Sequence, residues 1–136
     1  MKNNDYCAAP IVCWEGCQRG YAIKLVKFGL RAPIVEILTD VPAGLSNQLW
    51  REIHAHPSPP GRFPDSVANC LTSPVLAAEA AAFVSIYNAI DRRSARYANA
   101  PDLIKAITVL RNTLPNAKID SNVLYYVIRD IRSGLV

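Results

Sequence analysis

The sequence lacks any apolar run near the length that crosses a bilayer. Apolar residues make up 51% of the 136 residues, yet uninterrupted apolar runs stay far below the ~18–20 residues that a membrane-spanning helix requires. Residues 2–5 are polar, and no apolar segment with a cleavage site follows them, so no secretory signal is visible. These absences predict a soluble, cytoplasmic protein.

The motifs of common catalytic sites are also missing. The sequence contains no His-Glu-x-x-His zinc motif, no glycine loop that would cradle a phosphate and no nucleophile elbow. Cysteine and histidine are present, but their order does not indicate a nucleophile, a base and a group that orients the base. We therefore expect no enzymatic activity. A small thiol or metal enzyme is the least favoured hypothesis for this sequence.

Cysteine spacing argues against a metal centre. The C-x2-C pairs typical of structural zinc sites are absent, and the first three of the four cysteines have C-x5-C-x3-C spacing. Without a secretory signal we expect free thiols rather than disulfides. The four are Cys7, Cys13, Cys17 and Cys70. His54 and His56 flank Ala55 at a helix end. This spacing is a poor metal geometry, so we interpret both as solvent-exposed capping residues. The prediction is no metal and no cofactor.

Apolar residues recur at steps of three and four along most of the chain, which is typical of amphipathic helices. This spacing predicts helices over 12–28, 32–39 and 43–55, with Gly29 ending the first of them. No alternating pattern typical of a strand competes. The sequence therefore predicts an all-α fold, a compact bundle of five to six helices in one domain over 1–136.

Proline and capping residues divide the second half of the chain. Four prolines fall within the eight residues 57–64, which excludes a helix or a central strand there and predicts an extended loop over about 56–66. A long helix is predicted from Ser73-Pro74, and further helices are predicted from Pro101 and from Asp120-Ser121.

Residues 31–55 have the layout of a helix-turn-helix: a short helix, a tight turn and a longer second helix. In that motif the second helix lies in the major groove, and its polar residues reach base edges. Asparagine and glutamine can bind adenine, while arginine binds guanine or phosphate. The residues that we expect to point outward are Ser46, Asn47, Gln48 and Arg51. Leu45, Leu49 and Ile53 are expected to face inward. Trp50 is expected to pack inside, and exposure at a partner surface is the alternative. A plain helical hairpin with a polar face fits the same pattern, and such a hairpin would suit a protein–protein adaptor that never contacts DNA.

The formal net charge of +4 is mildly basic. Cations are concentrated between residues 91 and 111, where Arg92, Arg93 and Arg96 are candidate phosphate contacts. An acidic protein partner and a merely solvated face are equally compatible with the charge alone.

The helix end at 49–53 and the Ser-Pro-Pro loop at 58–66 resemble a known family, the FlhC family, which is the C subunit of the flagellar master transcriptional activator. The likeness covers about 20–136 in the right order. Its most specific part is the helix end at 49–53 followed by the Ser-Pro-Pro loop at 58–66, one residue shorter here than in the family pattern. The other matching segments are 24–31, 34–39, 103–106 and 131–135.

This resemblance implies a DNA-binding activator subunit that works in a hetero-oligomer with a small helical D-type partner, similar to FlhD. Such a complex binds promoter DNA and recruits RNA polymerase. In that family, zinc belongs to a four-cysteine module that follows the segment matching 131–135, and these 136 residues do not contain it. Truncation and a short natural relative, such as a regulator encoded on a conjugative element, both stay open.

The second helix of the helix-turn-helix layout (43–55), which is the predicted reading helix, also departs from the family pattern. Leu45 stands where the family has a basic residue, and Asn47-Gln48 stands where it has an apolar-basic pair. We therefore expect a different base preference.

Overall fold

The computed structural model describes residues 10–90 and 99–132, with side chains from residue 18 onward. Its regular elements are α1 (Pro10–Lys27), α2 (Ala32–Thr39), α3 (Ala43–His54), a 3₁₀ helix (Val67–Cys70), α4 (Pro74–Ile90), α5 (Ala100–Thr113) and α6 (Ser121–Arg132). The all-α prediction is confirmed, with six α-helices and no strand in the described ranges. The predicted bounds of the first three helices are correct to within two residues at each end.

Two compact units make up the chain, one over Met1–Pro60 and the other over Gly61–Val136. Their boundary falls inside the proline-rich segment, and residues 57–64 form no regular structure, as predicted. Helices α1 to α3 belong to the first unit, and α4 to α6 belong to the second. The prediction of a single domain concerns whether the two units fold as one, and it stays a prediction.

In the first unit, α1, α2 and α3 each pack against the other two. Apolar side chains from all three helices, and from the connection between the first two, form the core. They include Ala22, Leu25, Val26, Leu30, Ile34, Val35, Leu49 and Trp50. Each helix thus contributes apolar side chains to one shared core, as amphipathic helices do.

The end of α1 is closed by a Schellman motif. Gly29 donates its N–H to the Val26 carbonyl at 2.9 Å, and Leu30 donates to the Leu25 carbonyl at 3.1 Å. Gly29 has a φ of 91°, a left-handed conformation that glycine adopts without strain because it has no Cβ. The predicted end of the first helix at Gly29 is confirmed.

In the second unit, α4 packs against both α5 and α6. The core of this unit is Phe83, Tyr87, Leu103, Ile107, Leu110, Leu124 and Ile128. Asp130 of α6 is fully buried, and its carboxylate accepts hydrogen bonds from the Val67 N–H and from Arg129, both at 2.7 Å. The bond from Val67 fastens the 3₁₀ helix to α6.

Polar side chains cap the helices of the second unit, as the sequence predicts. Ser73 accepts a hydrogen bond from a main-chain N–H of α4 at 3.2 Å, and Asp120 does the same for α6 at 2.7 Å. Helix α5 begins at Ala100, one residue before the predicted Pro101. The cap there is Asn99, whose side chain accepts from a main-chain N–H at 3.0 Å.

A non-glycine residue in the left-handed conformation ends α3. Ala55 has a φ of 64°, where a Cβ costs about 1–2 kcal/mol. We expect Ala55→Gly to raise the free energy of unfolding by about 1 kcal/mol, measured by urea denaturation. Ala81→Gly on the exposed face of α4 is the control, and it should lower that free energy by about 1 kcal/mol. A loss of stability in Ala55→Gly as large as in the control would contradict the left-handed end of α3.

Candidate nucleic-acid interface

Helix α3 is held by its second half against the connection between α1 and α2, here called the α1–α2 corner (Val26–Ala32). The indole N–H of Trp50 donates to the Leu30 carbonyl at 2.9 Å. The Nε2 of His54 lies 2.6 Å from the Val26 carbonyl. Because a carbonyl oxygen can only accept, this imidazole nitrogen is the donor. Trp50 is 4% exposed, so the prediction that it packs inside is confirmed.

The segment after α3 returns to the same corner. The N–H of Ala32, the first residue of α2, donates to the hydroxyl of Ser58 at 2.9 Å. The Nε of Arg31 donates to the Pro59 carbonyl at 3.2 Å. The start of α2 is therefore capped from a residue 26 positions away, and the proline-rich segment is fixed to the first unit up to Pro59.

The turn between α2 and α3 spans residues 40–42. Asp40 is left-handed with a φ of 61°. Thr39 closes the turn, since its hydroxyl donates to the Val35 carbonyl at 2.7 Å and accepts from the Val41 N–H at 3.2 Å. Helix α2 has eight residues, the turn has three and α3 has twelve. A turn of this length is common to many helical hairpins.

The outer face of α3 is polar. Gln48, Arg51 and Glu52 are exposed, while Asn47 is half-buried at the edge of this face. The guanidinium of Arg51 makes no hydrogen bond with any residue in the described part of the chain. These positions agree with the outward orientation that the sequence predicts for Asn47, Gln48 and Arg51.

The outward placement of Ser46 is wrong. Its side chain is 0% exposed, because the buried face of α3 is centred on Ser46, Leu49 and Trp50. Leu45 and Ile53, which the sequence places at the centre of that face, are half-buried at its edges. The serine hydroxyl has no hydrogen-bond partner. Ser46 is therefore a small core residue and cannot reach a ligand.

The two amide side chains of the outer face are already hydrogen-bonded. Asn47 donates to the Ala43 carbonyl at 3.1 Å, and Gln48 donates to the carboxylate of Glu52 at 3.1 Å. Each bond is exposed and local, so contact with a base edge would exchange it for another hydrogen bond of similar strength. The carboxylate of Glu52 would repel a phosphate brought close to Gln48.

The three arginines predicted as phosphate contacts, Arg92, Arg93 and Arg96, lie outside the described residues, as does Cys7. The side chains of Cys13 and Cys17 are likewise not described. Within residues 10–90 and 99–132, no three histidine, cysteine or acidic side chains cluster closely enough to hold a metal ion.

One arrangement near α3 differs from the sequence interpretation. His54 is half-buried and bonded to α1, not a solvent-exposed cap, and its ring packs against Trp50 with centroids 4.3 Å apart and a tilt of 38° between the rings. The spacing of four residues between Trp50 and His54 is a signal for this contact, since such residues are neighbours on a helix. The bond to Val26 spans 28 residues and leaves no local pattern in the sequence.

In comparisons with known proteins, no family model matches the chain, and no curated protein sequence matches it. No helix among residues 10–90 and 99–132 combines the length and the apolar character that crossing a bilayer demands.

The buried hydroxyl of Ser46 gives a direct test of the interior of the first unit. A buried hydroxyl without a partner costs about 1–3 kcal/mol, and alanine also has a higher helix propensity by roughly 0.5 kcal/mol. We expect Ser46→Ala to raise the free energy of unfolding by about 1 kcal/mol or more in urea denaturation. Ser85→Ala on the exposed face of α4 is the control. It should raise the free energy of unfolding only by the difference in helix propensity, roughly 0.5 kcal/mol. Destabilisation by Ser46→Ala would show that the hydroxyl has a partner.

Proposed function

We propose that this chain is a non-enzymatic, DNA-binding subunit of a transcriptional activator, and that α3 is its reading helix. The observation that carries the proposal is the division of α3 into two faces. One face is fastened to the α1–α2 corner through Trp50 and His54. The other presents Gln48 and Arg51 to solvent with Asn47 at its edge.

The proposed contacts follow from the chemistry of those side chains. Asn47 and Gln48 would read base edges, because an amide can donate and accept at once against adenine. Arg51 lies in the last turn of α3 and would contact the phosphate backbone. Arg92, Arg93 and Arg96 remain proposed phosphate contacts, and Ser46 has no part in the interface.

The resemblance to the FlhC family supports the wider role. It suggests a cytoplasmic hetero-oligomer with a small FlhD-like partner, binding to promoter DNA and contact with RNA polymerase. The three-helix arrangement of the first unit is compatible with this role, since a short α2 and a tight turn precede the exposed α3.

A protein–protein adaptor is the second candidate, and the charges around α2 favour it. Ile37 is 57% exposed, with the exposed carboxylates of Glu36 and Asp40 close to it in sequence. Such a surface suits a basic and apolar protein partner better than it suits DNA. Glu52, bonded to Gln48, adds a further negative charge to the outer face of α3.

Alanine substitutions on α3 test the reading helix. In the assembled complex, we expect Asn47→Ala or Gln48→Ala to lose roughly 1–3 kcal/mol of discrimination between specific and scrambled DNA. Arg51→Ala should weaken binding to specific and to scrambled DNA by a similar factor. It should also lower the slope of log affinity against log salt concentration by about one. Binding curves at two salt concentrations measure these effects. Asn88→Ala and Arg19→Ala, both exposed on other helices, are the matched controls.

The result that favours the adaptor is equally clear. If folded Asn47→Ala and Gln48→Ala variants keep the affinity and the specificity of the parent, α3 does not read DNA.

Assembly with a partner gives a separate prediction. Four large apolar side chains in the described residues are 38–58% exposed: Ile37, Val75, Val109 and Leu114. We expect the isolated chain to bind an apolar dye and to bind DNA weakly, and we expect a D-type protein encoded beside it to co-purify. Footprinting of the pair locates the operator. A stable monomer by sedimentation that binds no dye and no such protein would count against the assembly.

A further inference from the structure

Three aromatic rings gather where α3 ends. The centroids of Trp50 and His54 are 4.3 Å apart, those of Trp50 and His56 are 5.6 Å apart, and those of the two imidazoles are 6.0 Å apart. Ala55, between the histidines, is in the left-handed conformation, so the chain leaves the helix and His56 comes back beside the indole. We propose that the imidazole pair (His54 and His56) is a binding site for a late first-row divalent metal ion, such as Ni²⁺ or Cu²⁺.

Hydrogen bonds to main-chain carbonyls fix the tautomers of both histidines. His54 uses Nε2 toward the Val26 carbonyl at 2.6 Å, and His56 uses Nδ1 toward the Pro57 carbonyl at 2.8 Å. Carbonyl oxygens only accept, so each of these ring nitrogens carries the proton. In the neutral rings, the lone pairs are therefore on Nδ1 of His54 and Nε2 of His56, and neither nitrogen has a partner among the described residues.

This is the arrangement that metal-binding histidines commonly show. A histidine ligand usually donates its second ring N–H to a carbonyl or a carboxylate, which sets the tautomer and orients the ring. Both members of the imidazole pair already make that bond. The partners that orient the two rings are main-chain atoms, so the ring orientations do not depend on the rotamer of another side chain.

The distance between the rings is suitable for one shared ion. With a metal–nitrogen distance of about 2.0–2.1 Å, the ion lies roughly 3.2 Å from each ring centroid. Centroids bound to one Ni²⁺ or Cu²⁺ ion are then about 4.5 Å apart for ligands at 90° and about 6.4 Å apart for ligands at 180°. The observed 6.0 Å falls between these limits. His56 is exposed, so its side chain can adjust without disturbing the core.

The ligand set selects the class of metal. Imidazole suits Ni²⁺, Cu²⁺ and Zn²⁺ and is a poor ligand for Mg²⁺ or Ca²⁺, and affinity rises from Ni²⁺ to Cu²⁺ along the Irving–Williams order. Among the described residues, no cysteine or carboxylate joins the two histidines as a third ligand. Water would fill the remaining positions, so the ion would exchange rather than serve as a structural centre. The ion would sit one helical turn from Arg51.

Tryptophan fluorescence reports on this site directly, because the indole of Trp50 packs against one of the two ligands. The full chain carries two tryptophans, so Trp14→Phe leaves Trp50 as the fluorophore. In this background, without an affinity tag and at about pH 8, we titrate Ni²⁺, which quenches indole fluorescence at short range and does not oxidise thiols. We expect saturable quenching with one ion per chain. Zn²⁺, which does not quench, should compete and restore the signal.

Substitution of single ligands separates this site from binding at the cysteines. His56→Gln removes an exposed side chain, keeps every cysteine and should weaken Ni²⁺ binding by at least about tenfold. His54→Gln should do the same, and its amide can still donate to the Val26 carbonyl. Circular dichroism checks that both variants are folded. Unchanged quenching in folded His56→Gln, or no saturation up to millimolar Ni²⁺, would overturn the proposal. It does not rest on DNA binding, so neither result bears on the reading helix.

Discussion

The main-chain groups left without helical partners at the α1–α2 corner constrain the whole first unit. Where one helix ends and the next begins, carbonyls and N–H groups have no partner inside either helix. Trp50 supplies a partner for the Leu30 carbonyl, and Ser58 supplies one for the Ala32 N–H. His54 adds a second donor to the Val26 carbonyl, which also accepts from Gly29. An unpaired buried group costs about 1–3 kcal/mol, so the buried corner requires the segment from Trp50 to Ser58 to stay packed against it.

This constraint decides which residues of α3 meet the solvent. Two hydrogen bonds from the second half of the helix fix its rotation about its own axis, and the serine at the centre of the buried face lets the helix approach closely. Gln48 and Arg51 are then exposed as a consequence. The exposed face of α3 is therefore held in one orientation by the packing of its opposite face.

The sequence predicts the helices well and the environment of single side chains less well. Spacing of apolar residues, Gly29 and the cap at Ser73 are local signals, and the structure agrees with them. Ser46 is different, because a small polar residue in the core carries no apolar signal. The spacing of Leu45, Leu49 and Ile53 therefore predicts a buried face that lies about one position away from the observed one. The bond from His54 to Val26 depends on how α1 and α3 pack, and no local pattern reports a contact between distant residues.

The partners of the α1–α2 corner also set an order of events during synthesis. The corner is complete at residue 32, but its capping groups come from positions 50 to 59. The Leu30 carbonyl and the Ala32 N–H therefore have no protein partner while α3 is still inside the ribosome exit tunnel. Once Pro59 has emerged, all of these groups are outside, before the last residues of α6 are made. The bonds that cap the corner close loops of 20 to 28 residues, and this closure is an entropic cost of ordering the corner.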